Sequence, residues 1–189
     1  MPHNVAHPAL RRQTLSDLLH RTAARLPHKP GIVCGSTRWT WKEFDTVVSR
    51  LAAGLHAQGV AQGEHVGVLA RNSHGFAALR FALARLGAVM VPVNFMLNAD
   101  EAGYILRHAG VRLLAVDSGL HALGRDAAAR DTQISRFLWL PSEDPSTCPA
   151  GCLNFDDLAA TDLADHPCPE PTFNSHHLLQ IVYTSGTES

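Results

Sequence analysis

The 189-residue chain has little excess charge of either sign: 16 basic and 17 acidic side chains leave a formal net charge of −1. No basic block or stripe stands out, which argues against a nucleic-acid partner. The opening MPHNVAHPALRRQ has no apolar core of the kind a secretory leader carries. No long uninterrupted hydrophobic run is present either. The most apolar window, Phe76 to Phe95, is broken by Arg80, Arg85, Gly87 and Pro92, and reads as a helix followed by a strand rather than a membrane span. The cytoplasm is therefore the expected compartment.

Cysteine is also scarce. Cys34, Cys148, Cys152 and Cys168 are the only four, and without an export signal disulfides are not expected. Cys148, Cys152, His166 and Cys168 could be forced into a zinc site, but their spacings match no usual zinc module, so free thiols in a loop are the simpler expectation. The pair His176-His177 reads as loop surface. There is no internal repeat.

What is present is an alternation of short apolar runs with amphipathic ones. Thr14 and Asp17 suit the start of a first helix, with Leu15, Leu18, Leu19, Thr22 and Leu26 as its apolar stripe. GIVCGSTRWTW reads as a hairpin turning at Gly35-Ser36. Thr40 and Glu43 form a capping-box pattern before a helix whose stripe is Phe44, Val47, Val48, Leu51 and Leu55, with Gly59 ending it.

Strands are then expected at HVGVLA, AVMVPV, RLLAVD and FLWL. Helices between them are capped by Ser73 and Asn98, and a further helix spans Leu120 to Arg130. Strand and helix alternating at this spacing predict an α/β fold: a mainly parallel sheet flanked by helices. The strands show little polar alternation, as when both faces are covered.

Six prolines between residues 141 and 177 break the rhythm. The domain reading is an α/β subdomain over 1–140, a proline-rich connector over 141–177 in which only LNFDDLAA suits a short helix, and a strand from Leu178 running into a terminal loop over 178–189.

That strand leads into Thr184-Ser185-Gly186-Thr187. Glycine lets backbone approach a ligand, and N–H groups with hydroxyls can surround an anion, so phosphate is a natural occupant. The loop lacks the first glycine and the lysine of a Walker-type phosphate loop. In isolation a plain β-turn is the favoured reading of these four residues.

The wider context reverses that balance. YTSGT resembles the start of the nucleotide-phosphate signature of the adenylate-forming enzymes, the AMP-dependent synthetases and ligases. Glu188-Ser189 departs from the commoner Thr-Gly and resembles a variant found among bacterial fatty acyl-CoA synthetases. The stretch from TLSDLLHRTAARLPHKPGIVCGSTRWTW through FDTVVSRLAAGLHAQGV is similar to that family's opening helix, hairpin and second helix. GEHVGVLARNSHGFAALRFALARLGAVMVPVNFMLNADEAGYILRHAG is similar to the next strand-helix-strand-helix block.

The resemblance implies that Thr184 helps hold Mg²⁺ and that the segment Thr184, Ser185, Gly186, Thr187, Glu188 and Ser189 grips ATP phosphates. It implies an N-terminal subdomain, and an enzyme in which a carboxylate attacks the α-phosphorus of ATP and coenzyme A then displaces AMP. The loop lysine, the adenine site, the acyl pocket and a mobile C-terminal domain would lie beyond residue 189. No catalytic residue is therefore expected within the chain, which should be a fragment inactive alone. Its partners would be a small carboxylate substrate in the longer form and, through exposed apolar surface, another copy of itself. An aryl-acid or amino-acid adenylating enzyme and a non-catalytic α/β interaction module are the rival readings. Two strand-end loops also invite a ligand: Arg71 could meet an anion, with Asn72 and Ser73 read as caps, and Asn94 reads as closing a turn.

Overall fold

The four longest of the described helices begin on side-chain caps. The computed structural model describes residues 14–142, 147–168 and 176–184. Capping boxes open α1 (Leu15–Arg25) at Thr14/Asp17 and α2 (Trp41–Ala57) at Thr40/Glu43. Ser73 Oγ accepts the Phe76 N–H at 3.1 Å to open α3 (His74–Leu86), and Asn98/Glu101 form the box of α4 (Ala99–His108). Each satisfies backbone donors that the first helical turn leaves over. Gly87, at φ 69°, closes α3 in the left-handed region that glycine enters without penalty.

The hairpin forms as expected from β1 (Pro30–Cys34) and β2 (Thr37–Thr40). The main sheet contains β3 (His65–Leu69), β4 (Val89–Pro92), β5 (Leu113–Asp117), β6 (Arg136–Leu140) and β7 (Leu153–Asn154). Its order is β4-β3-β5-β6-β7, and every pairing is parallel.

Side chains alternate between two helical layers. Val66 and Val68 of β3, Leu113 and Ala115 of β5, and Leu138 and Leu140 of β6 join a core with Leu19 of α1, Phe44, Leu51 and Leu55 of α2, and Leu79 and Leu83 of α3. Leu69, Leu114, Val116, Phe137 and Trp139 point the other way, onto Ala102 and Leu106 of α4 and Ala127 of α5 (His121–Ala128). Both faces are covered, which is why the strands read as nearly unbroken apolar runs. Burying one such leucine contributes about 1.5–3 kcal/mol.

Three elements differ from the sequence expectation. The helix expected over Leu120 to Arg130 is a 3₁₀ turn, Ser118–Leu120, followed by α5. The stripe of α1 is rotated: Leu18 is 54% exposed, while Ser16 and Ala23 are buried. Ser16 is drawn inward because its hydroxyl receives a bond from Arg85 Nε at 2.9 Å. Within the proline-rich stretch, Leu153–Asn154 adds a parallel edge strand, and α6 (Phe155–Ala159) buries Phe155 and Leu158.

Candidate functional site

The segment leading to Thr184 lies along the other edge of the sheet, beside β4. Gln180 bridges Met90 in parallel. The Met90 N–H donates to Leu179 C=O at 3.0 Å, and the Ile181 N–H donates to Met90 C=O at 2.9 Å. A full strand over Leu178 to Thr184 is not formed, and Pro92 explains it. Val89 and Val93 donate their N–H groups toward β3, at Glu64 C=O and Val68 C=O. Even-numbered residues of β4 therefore face the tail, and the next donor on that side would be Pro92, which has no N–H. The segment pairs with β4 of its own chain, at the edge of the sheet, although Leu178 and Val182 remain 50% and 55% exposed.

Side chains anchor what the backbone does not. His177 Nε2 meets Gly87 C=O at 2.7 Å. The Tyr183 hydroxyl and His108 Nδ1, at the end of α4, share a hydrogen bond of 2.6 Å. Their rings meet edge to face at 5.7 Å, and Tyr104 stacks on His108, also at 5.7 Å. Burial, with Tyr104 beside it, raises the Tyr183 phenol above its ordinary pKa, so it stays protonated. Ile181 and Tyr183 pack on the α4–α5 side of the core.

Thr184 follows directly and is exposed. Because the bridge at Gln180 is parallel, the segment runs in the same direction as β3 to β6, toward the end of the sheet where α/β folds bind ligands. Ser185, Gly186, Thr187, Glu188 and Ser189 lie outside the described residues. An exposed threonine hydroxyl at such a position is a hard oxygen of the kind Mg²⁺ and phosphate groups take.

The other residues singled out in the sequence divide clearly. Asn94 Oδ1 accepts the Met96 N–H at 3.0 Å and closes a turn. Ser73 is a helix cap. Arg71 is ion-paired within the chain to Asp117, at 3.5 Å from Nη1 to Oδ1. Cys148 and Cys152 pack against the α4–α5 side of the sheet and Cys168 against the opposite side, so the three thiols do not converge. Burial raises the pKa of both Cys148 and Cys152. Two buried polar centres were missed: Asp117, and Arg85 with Asp45. A charge inside an otherwise apolar helix, and an acid ending an apolar strand, were the available signals.

The model of the AMP-binding enzyme family matches residues 19–189. The chain belongs to that family. It is 28% identical over 181 residues to a peroxisomal benzoate–CoA ligase of Arabidopsis thaliana, covering 89% of this chain and 31% of that protein. It is 29% identical over 181 residues to the fatty acid–[acyl-carrier-protein] ligase ScoC of Streptomyces coeruleorubidus, covering 96% and 32%. Its fold superposes on the anthranilate CoA ligase AuaEII, solved with anthranoyl-AMP, with a TM-score of 0.80 at 22% identity over 97% of this chain and 35% of that one. The chain thus spans about a third of the length of these family members, and its five-stranded parallel sheet with flanking helices is the N-terminal subdomain of the adenylate-forming fold. Among the described residues no helix is long and apolar enough to cross a membrane.

Proposed function

We propose that this chain is the N-terminal part of an ATP-dependent carboxylate–CoA ligase whose acid is a fatty acid. In this reading 1–140 form the N-terminal subdomain, 141–177 the connector, and 178–189 the first strand and phosphate loop of a second subdomain. The observation that carries it is the family match continuing through Thr184, whose exposed hydroxyl follows a segment pinned at Gln180 and Tyr183. Thr184 would bind Mg²⁺, and Ser185 to Ser189 would hold the ATP phosphates. When bound, Mg²⁺ would neutralise phosphate charge while the acid's carboxylate attacks the α-phosphorus. This chain's own contribution is positional: β4, Tyr183 and His108 fix where the loop starts. Coenzyme A would then take the acyl group, in the cytoplasm.

The similarity to a benzoate–CoA ligase favours a second reading, an aryl acid as substrate. The experiment that separates them is pyrophosphate release by the longer protein with a panel of fatty and aryl acids. Release with fatty acids supports the first reading, release with aryl acids alone the second, and release with neither rejects both. The 189-residue chain is expected to bind ATP weakly at best, since a few neutral donors compete poorly with water for a triphosphate.

A further inference from the structure

Cys148 and Cys152 flank a tight turn. The Cys152 N–H donates to Pro149 C=O at 3.1 Å, and Gly151, at φ 82°, supplies the left-handed residue that a type II turn requires at its third position. The turn carries the chain back under the Cys148 sulfur. Cys148 Sγ lies 3.7 Å from Pro149 C=O, 3.8 Å from Cys152 C=O and 3.9 Å from Leu153 C=O. Both cysteine side chains pack against the same α4–α5 side of the core. The ends of a β-turn are within about 7 Å in Cα separation, close to the roughly 4.4–6.8 Å that a disulfide spans. Cys148 stands one residue outside the turn, and its sulfur already reaches the far end.

The pair is open to a small reagent. Both residues are free thiols and only half-buried, and Thr147, Ala150 and Gly151 around them are exposed. Burial raises both thiols above the ordinary pKa. For Cys148 the neighbouring Cys152 and Asp157 add to the rise, whereas Arg125 partly offsets it for Cys152. The Arg125 guanidinium lies over the Phe137 ring, 5.1 Å from its centroid. A cation near a sulfur favours the thiolate, which is the nucleophile.

We infer that Cys148 and Cys152 form a reversible intrachain disulfide, by exchange with a low-molecular-weight disulfide such as oxidised glutathione, and that this bond staples the turn ahead of β7. The Cys152 thiolate attacks one sulfur of the small disulfide and expels a thiolate. The Cys148 thiolate then attacks the Cys152 sulfur of the mixed disulfide and expels the second. The two cysteines give up two electrons and two protons, and the small disulfide takes them and leaves as two thiols. The staple acts on a short edge of the sheet. β7 pairs with β6 only through Leu138 with Leu153 and Trp139 with Asn154, and it leads directly into α6, whose Phe155 and Leu158 are buried. Closing the five-residue loop from Cys148 to Cys152 removes open conformations. On the chain-entropy relation it favours the folded form by a factor of about 30 when no strain is added.

The test equilibrates the 189-residue chain with a fixed mixture of oxidised and reduced glutathione, folded and unfolded in urea, followed by alkylation and cleavage before aspartate. Cleavage at Asp144 and Asp156 releases residues 144–155, which carry Cys148, Cys152 and no other cysteine; the disulfide form escapes alkylation. The disulfide-to-dithiol ratio should be at least about tenfold higher in the folded chain than in urea, within the factor that loop closure allows. Gly151→Val leaves both thiols but opposes the positive φ of an exposed turn, and should bring the ratio toward the urea value. Hydrogen exchange of the Cys152 amide should be several-fold slower in the oxidised chain, and oxidised glutathione should not slow it in Cys148→Ser. An equal or lower ratio in the folded chain, glutathione adducts in place of the internal bond, an unchanged ratio in Gly151→Val, or unchanged amide exchange overturns the proposal. The phosphate-loop reading rests on the opposite edge of the sheet, at β4, and is untouched by either result.

Discussion

Replacing Arg85 with methionine should destabilise the fold far more than loss of a surface ion pair would. Arg85 sits on α3 with its side chain 10% exposed. Its Nη2 meets Asp45 Oδ1 at 2.6 Å, Nη1 meets Ser49 Oγ at 2.5 Å and Asp45 C=O at 3.3 Å, and Nε meets Ser16 Oγ at 2.9 Å. One guanidinium thus joins α1, α2 and α3. Methionine keeps most of the aliphatic volume, so the loss is chiefly polar. Breaking a buried pair by removing one partner costs about 3–5 kcal/mol. His20 Nδ1, 3.1 Å from Asp45 Oδ2, remains to face the orphaned carboxylate, and Asp45 is 16% exposed. Both place the cost at the lower end, about 3 kcal/mol. For a domain of this size that corresponds to a fall in Tm of about 6–12 °C. Urea and thermal unfolding measure it. The double variant Arg85→Met/Asp45→Leu should recover much of the loss, because the uncompensated charge is gone. A single-variant cost under about 1 kcal/mol, the range of exposed pairs, would refute the reasoning.

Acid should weaken the fold through two histidines. Burial holds His74 below the usual imidazole pKa, and burial with Arg125 nearby does the same for His121. The unfolded chain then binds protons more readily, so this stability is complete above about pH 6.5 and is lost as pH falls toward the depressed folded values. His74→Phe with His121→Phe should flatten the urea midpoint against pH between neutrality and mild acid; an unchanged slope would reject the assignment. Tyr183→Phe should leave global stability within about 0.5 kcal/mol. It should speed hydrogen exchange of the Ile181 amide several-fold, since the bond to His108 anchors that segment, and an unaltered exchange rate would show that the bond contributes nothing to it.

Much of the fold was legible because local and global signals agree. Thr14, Thr40, Ser73 and Asn98 each cap the helix their sequence context announces, and the apolar runs at β3 to β6 are the strands of a covered sheet. Illegible were features set by contacts distant in sequence. Ser16 turns inward only because Arg85, 69 residues on, reaches it. Leu153–Asn154 is too short to announce itself and becomes a strand by pairing with β6. Pro92 stops the ladder to the terminal segment through a missing donor, which matters only once Gln180 is known to lie beside Met90. At the candidate site the sequence pointed to Thr184 and to its family; the anchoring of Tyr183 by His108 and the pairing of Asp117 with Arg71 depend on three-dimensional neighbours.

The most direct test of the central claim uses the full-length ligase of which this chain is proposed to be the N-terminal part. Acid-dependent exchange of labelled pyrophosphate into ATP is measured for the wild type and for Thr184→Ala. The account predicts exchange that requires a fatty acid, and a fall of about 10²–10³ on replacing Thr184, the loss typical when a group stabilising transition-state charge is removed. Circular dichroism and Tm should be unchanged in the variant. No acid-dependent exchange in the wild type, or full exchange in the Thr184→Ala variant, would contradict it.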